Sequence, residues 1–215
     1  MVTELLIVGK GDNVITMILD NLYSNKSILD IHVYNNLNLP ILNSFNHDSF
    51  NIKVSNTVNL EEYAQMILGV YQPIHKIKII KSLNLSSDKF INIIHNGLNV
   101  SKMSSLGKGI LINSNVSIAA HTSIGDFVNI NRHVSIGHHT VIGDYCSINP
   151  GTNIAGNVTI GEKTLIGMGT NIIDGVEVGN NTIIGAGSLV VKNIPSNVVA
   201  YGNPCRVIRD NVSIV

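Results

Sequence analysis

A chain of 215 residues in which 14 Lys+Arg balance 14 Asp+Glu carries no formal net charge, which excludes the basic excess that holds a nucleic-acid backbone. Two cysteines, Cys146 and Cys205, are too few for a disulfide framework and point to a reducing, cytoplasmic setting. The opening MVTELLIVGKGDN does not have the form of a secretory leader, and Asn, Gly and charges interrupt every apolar run before the ~18 residues of a membrane span. Aromatics make up only 5% of a chain that is 44% apolar, so its core is built from something other than large rings.

The chain reads as two parts, 1–90 and 91–215. In the first, ELLIVG is a buried-strand run ending at Gly9 and Gly11, a helix follows over about Asn13 to Tyr23, and LDIHVYNN is a second strand. A strand in AQMILGV, a helix in PIHKIKIIKSLN and a strand in KFINII complete a small α/β domain of Rossmann type. Ligands of such sheets sit beyond the carboxyl ends of the strands. That places a nucleotide or sugar-nucleotide phosphate near Gly9, Gly11, Asp12 and Asn13, with Tyr34, Asn35 and Asn36 across the switch point. GKGDN is only part of a dinucleotide fingerprint, lacking its third Gly. A tight strand-to-helix turn without a ligand accounts for the same residues.

From Ile94 the chain divides into hexads headed by an aliphatic residue, without a slip of register, to the hexad VVKNIP. From Leu106 onward the fifth position is small or β-branched, with Ile110, Val116, Thr122, Val128, Val134, Thr140 and Cys146 opening the series. A period of six suits neither a helix nor an amphipathic strand alone; it suits short strands joined by tight corners. The pattern resembles the hexapeptide-repeat left-handed parallel β-helix, in which three hexads form one triangular coil and each residue stacks on the one a coil later. The expected fold is therefore an α/β domain followed by an all-β solenoid. Cys146, in the inward column, is expected to be core. His121 and His139 should stack about one strand spacing, ~4.8 Å, apart at one corner, and Asn113, Asn131 and Asn149 should form a ladder of hydrogen-bonded amides.

The pieces GKGDN, ILGVYQP, FINIIH, INRHVSIGHHTVIGD, AGNVTIG, IGAGSLVVKNIP and YGNPCRVIR together resemble the bacterial sugar acyltransferases, a group holding sialic acid O-acetyltransferase-like proteins and N-acetyltransferases of nucleotide-linked 4-amino sugars. That resemblance implies acyl transfer from acetyl-CoA as co-substrate, a nucleotide-linked sugar as acceptor, and a homotrimer with sites between adjacent prisms. It maps the general base onto His138 and the oxyanion-stabilising N–H onto Gly156. His139 stands where the family has an acid, and Ser147 where several relatives carry a second His. Tyr71, Gln72 and Asn131 fall on substrate-side motif positions, and Gly156, Gly167, Gly185, Ala186 and Lys192 on the coenzyme A side. The reading chosen is an N-acetyltransferase acting on a nucleotide-linked amino sugar, in particular a 4-amino-4,6-dideoxyhexose of surface glycans such as lipopolysaccharide O-antigen. O-acetylation of sialic acid or a related sugar, and a non-catalytic scaffold, are the other readings. The five-residue spacing of His133 and His138 also matches two zinc ligands of γ-type carbonic anhydrases, but a third ligand would fall near Val116, so no metal is assigned.

Overall fold

The computed structural model describes residues 4–25, 30–35 and 49–212. The N-terminal unit is a four-stranded parallel sheet made of β1 (Glu4–Val8), β2 (Asp30–Tyr34), β3 (Asn51–Ser55) and β4 (Met66–Leu68), in the order β3-β2-β1-β4. Helix α1 (Asp12–Asn25) starts where the Gly11 carbonyl accepts the Val14 and Ile15 N–H groups. Its Val14, Ile15, Ile18, Leu19 and Leu22 recur at helical spacing and are buried against one face of the sheet. Helix α2 (Pro73–Ser82) begins with a proline at its first turn, where no N–H is needed, and covers the other face.

Two expectations change. Strand β3 lies in NIKVS, a half-exposed edge segment whose alternation is too weak to announce a strand. The strand expected in KFINII does not complete the α/β sheet: Ile93–Ile94 pairs with Leu111–Ile112 and opens the solenoid, and the segment touches the α/β sheet through a parallel bridge, Met66 to Phe90.

From there two-residue parallel strands repeat to Leu189–Val190, paired at a spacing of 18 residues until the last coil, and form three sheets around a prism. The inward fifth positions are buried throughout, with Cys146 fully enclosed. The corners have a shared device: the fourth residue of nearly every hexad has positive φ, including Phe127 at 57°, His139 at 56° and Tyr145 at 61°. Residues ill suited to that region are held there by coil-to-coil hydrogen bonds, such as Tyr145 N–H to Asp126 O at 2.8 Å. The chain ends in an antiparallel pair, Val198–Tyr201 with Arg206–Asp210, attached to one solenoid sheet at Ile183–Ile184.

One side of the prism is unlike the other two. Its outward residues Leu111, Asn129 and Ser147 are buried, whereas Ser117, Ser123, Ser135, Val141, Asn153 and Thr159 on the other two sides are exposed. The α/β unit lies on that first side. Asn21 Nδ2 donates to Ile112 O at 3.2 Å, Asn129 Nδ2 to Val70 O at 3.4 Å and Ser147 Oγ to Tyr71 O at 2.6 Å. At the centre is Lys76 of α2, fully buried, whose Nζ donates to Phe127 O (2.8 Å), Cys146 O (3.0 Å) and Ser147 Oγ (3.0 Å). Three acceptors match the three protons of an ammonium, while burial pulls the Lys76 pKa down to about 7. Nothing in PIHKIKII marks this lysine as an anchor, because lysine is ordinarily the most exposed of residues.

Candidate active site

The corner that carries His138 runs, one coil at a time, through Ala120, His138, Gly156, Asp174 and Lys192 as the third residues of every third hexad. His138 is exposed and lies flat on Gly156. A Cβ built on Gly156 would stand 2.6 Å from the imidazole Cε1, 2.8 Å from Nε2 and 2.9 Å from Nδ1. Since φ at Gly156 is not positive, the glycine is required here for the room it gives the ring and not for its backbone conformation.

This corner also leaves a donor without a partner, because Asp174, one coil after Gly156, accepts instead from Asn157 Nδ2 at 3.2 Å. At a neighbouring corner the third residue of one hexad is capped by the side chain one coil later. Lys108 N–H donates to Asp126 Oδ1 (2.8 Å), Asp126 N–H to Asp144 Oδ1 (2.8 Å) and Glu162 N–H to Asn180 Oδ1 (3.0 Å). Gly156 is buried beneath the imidazole, and its N–H forms no hydrogen bond among the described residues. Buried backbone donors are almost always paired, so a free one beside an exposed imidazole marks a place where a developing negative charge can be received.

His138 Nδ1 lies 3.1 Å from His139 Nδ1, with the rings nearly perpendicular at 83°. The His139 ring in turn lies 4.8 Å from that of His121, inclined by 35°, the stacking expected of residues one coil apart. The expected ladder at Asn113, Asn131 and Asn149 does not form. Asn149 Nδ2 donates to Ile166 O (2.8 Å), Asn131 Nδ2 faces Met17 Sδ of α1 (3.9 Å) while its Oδ1 accepts from Arg132 N–H, and Asn113 Nδ2 has no partner. Amide-to-amide pairing occurs instead on the exposed side, from Asn153 to Asn171 at 3.0 Å.

The other sequence-assigned residues are spread over the molecule. Gly9, Gly11, Asp12 and Asn13 join β1 to α1, beside Tyr34 and Asn35 at the end of β2; Asn36 lies outside the described residues. Gly11 is accounted for by packing, since a Cβ there would stand 2.6 Å from the Gly69 carbonyl oxygen, to which Gly11 N–H donates at 2.8 Å. Lys10, almost fully buried, pairs with Asp12 at 2.8 Å at the start of the helix. Gln72 is exposed at the start of α2. The Tyr71 hydroxyl is turned into the interface beside Ser147 and Asn149 without an ordinary hydrogen bond, and burial raises its pKa. Ser147 is likewise sealed between Tyr71 and Lys76. On the coenzyme side, Lys192 shares the corner of His138 and is exposed, whereas Gly167, Gly185 and Ala186 lie at a different corner. A Cβ on Gly167 would meet Ala186 N at 2.4 Å and one on Gly185 the Tyr201 Cβ at 2.7 Å, so both glycines also serve coil packing. His133 sits at that same corner, two coils before Gly167 and against Asn115 at 3.5 Å, and no group of three His, Cys, Asp or Glu that could hold a metal ion occurs among the described residues.

The His138 corner joins the two exposed sides of the prism, so it lies opposite the side that the α/β unit covers. Within one chain the imidazole and the turn after β1 are therefore on opposite sides of the solenoid.

Residues 157–192 match the bacterial transferase hexapeptide (six repeats) family. Among solved structures, the acetyltransferase domain of PglB from Neisseria gonorrhoeae FA1090 is similar at 21% identity and a TM-score of 0.83, over 95% of this chain and 99% of that one. PerB from Caulobacter crescentus, solved with CoA and GDP-perosamine, is similar at 23% identity and a TM-score of 0.79, over 97% of this chain and 98% of that one. WeeI from Acinetobacter baumannii AYE follows at 20% identity and 0.75, over 96% and 100%. At these identities the likeness establishes the fold, both units included. No curated protein sequence matches the chain.

Proposed function

From a chain that carries the hexapeptide repeat of bacterial transferases on this two-unit fold, we propose an acetyl-CoA-dependent N-acetyltransferase of a nucleotide-linked amino sugar. The observation that carries the proposal is the His138–Gly156 pair: an exposed imidazole lying on the one residue type that accommodates it, beside a free N–H. In a ternary complex the acceptor amine attacks the acetyl carbon and forms the C–N bond. Its proton passes to His138 Nε2, the oxyanion rests on Gly156 N–H, and the C–S bond breaks as the coenzyme thiolate leaves and is protonated by the imidazolium. No nucleophilic side chain adjoins His138 at this corner, which favours direct transfer over a covalent intermediate.

The placement of the two units supports a site shared between copies. His138 of one chain faces away from its own α/β unit, and the exposed sides flanking that corner carry Val141 and Ile173, apolar side chains suited to burial against another prism. A homotrimer would bring the turn after β1 of one copy toward the His138 corner of the next, with coenzyme A between prisms and Lys192 available to its phosphates. The nucleotide-linked acceptor is the class held by PerB, GDP-perosamine.

The test is thiol release from acetyl-CoA by the purified protein, offered UDP-, dTDP- and GDP-linked 4-amino sugars beside sialic acid and its nucleotide-activated form. Release with one amino sugar, lowered roughly 10²- to 10⁴-fold by His138→Asn, is the expected result. Release with sialic acid alone would reassign the acceptor atom to oxygen, and no release together with no coenzyme A binding would overturn the reading.

A further inference from the structure

His138 and His139 approach through the same kind of atom, Nδ1 to Nδ1 at 3.1 Å. Two imidazole nitrogens at that distance share one proton, so one ring must present Nδ1–H and the other a bare Nδ1. The surroundings decide between the two arrangements. One face of the His138 ring is closed by Gly156 and its Nδ1 by His139, so Nε2 is the nitrogen left for a substrate. A base must have that nitrogen bare, which puts the His138 proton on Nδ1 and requires an acceptor there.

We propose that His139 is the positioning residue for His138: a neutral imidazole, protonated on Nε2, whose bare Nδ1 accepts from His138 Nδ1–H and holds the catalytic tautomer. The inference rests on the reading of His138 as general base. His139 is set up for this by the fold. It occupies a left-handed corner position with φ of 56°, as His121 does at 60° one coil earlier, and the stacked rings at 4.8 Å hold its orientation. The groups facing His139 are His138 on its own corner, His121 from the preceding coil and Asn157 from the following one, the last engaged with Asp174 Oδ1 at 3.2 Å. No carboxylate pairs with any of the three imidazoles among the described residues. When His138 takes the substrate proton, His139 stabilises the imidazolium by keeping its lone pair on Nδ1–H.

The first experiment needs no turnover: long-range ¹H–¹⁵N correlation spectra of the ¹⁵N-histidine-labelled full chain at pH 9, assigned with His138→Asn, His139→Asn and His121→Asn. Nδ1–H on His138 with Nε2–H on His139 is expected, and the opposite pairing, or a His138 tautomer unmoved by His139→Ala, overturns the proposal whatever the activity. In the acetyl-transfer assay, His139→Ala should lower kcat about 10- to 100-fold with KM for acetyl-CoA within about 2-fold, and His139→Asp should recover most of it. Full activity in His139→Ala also overturns the proposal. The expected tautomers in a protein that transfers no acetyl group would refute the base reading alone.

Discussion

The tightest contact at the candidate site is that of Gly156 with the imidazole, and Gly156→Ala tests it. The new methyl would stand 2.6, 2.8 and 2.9 Å from three atoms of the His138 ring, against the 3.5–4.0 Å of a comfortable contact, so the imidazole must withdraw by roughly 1 Å. A misplacement of that size costs on the order of 10²-fold in rate, about 2.7 kcal/mol of transition-state stabilisation. The fold should not suffer. His138 is exposed and can swing outward, and φ at 156 is ordinary, so alanine restricts the unfolded chain and adds about 0.4–1 kcal/mol of stability. The N–H itself stays in place, which separates the position of the base from the loss of a donor. Steady-state thiol release and thermal denaturation of the same preparation measure both effects. A variant with wild-type kcat/KM would refute the argument that His138 works from its seat on Gly156, and a marked fall in Tm would show that the glycine serves the coil and not the ring.

Lys76 should make stability depend on pH. Its pKa is 10.5 when free and about 7 in the fold, so between those values the unfolded chain binds more protons, and stability rises with pH through the window and is lowest below it. The gap corresponds to at most about 5 kcal/mol, and urea denaturation from pH 7 to 9.5 should show a rise that disappears in Lys76→Met; parallel curves would refute the assignment. Tyr71→Phe removes a buried hydroxyl without an ordinary hydrogen bond and should leave stability unchanged or raise it by about 1 kcal/mol, whereas a loss above that in denaturant titration would mean the hydroxyl is bonded. Burial pushes the Cys146 thiol up to about 12, so alkylation by iodoacetamide should proceed only at the rate of unfolding; rapid modification of the native protein would show an open core.

The repeat was legible because every hexad is built alike, with its head and its fifth position turned inward, and that period survives any choice of outward residues. From it follow the column of His138 on Gly156 and the stack of His121 on His139, both found as the spacing requires. The amide column was read by the same rule and failed, because coil spacing fixes which residues are neighbours but not which partner a flexible amide prefers. Asn149 donates to a carbonyl, and Asn131 faces a methionine of the other unit.

What the sequence by itself determined is the solenoid, its register and the pairs one coil apart, since these are local and repeat without reference to anything else in the chain. Only the tertiary structure decided which side of the prism the α/β unit covers. That choice depends on contacts between residues far apart in the chain, such as Lys76 with Cys146 and Ser147, and no periodicity encodes them. It is this packing that sets His138 on the far corner, away from the strand ends of its own chain.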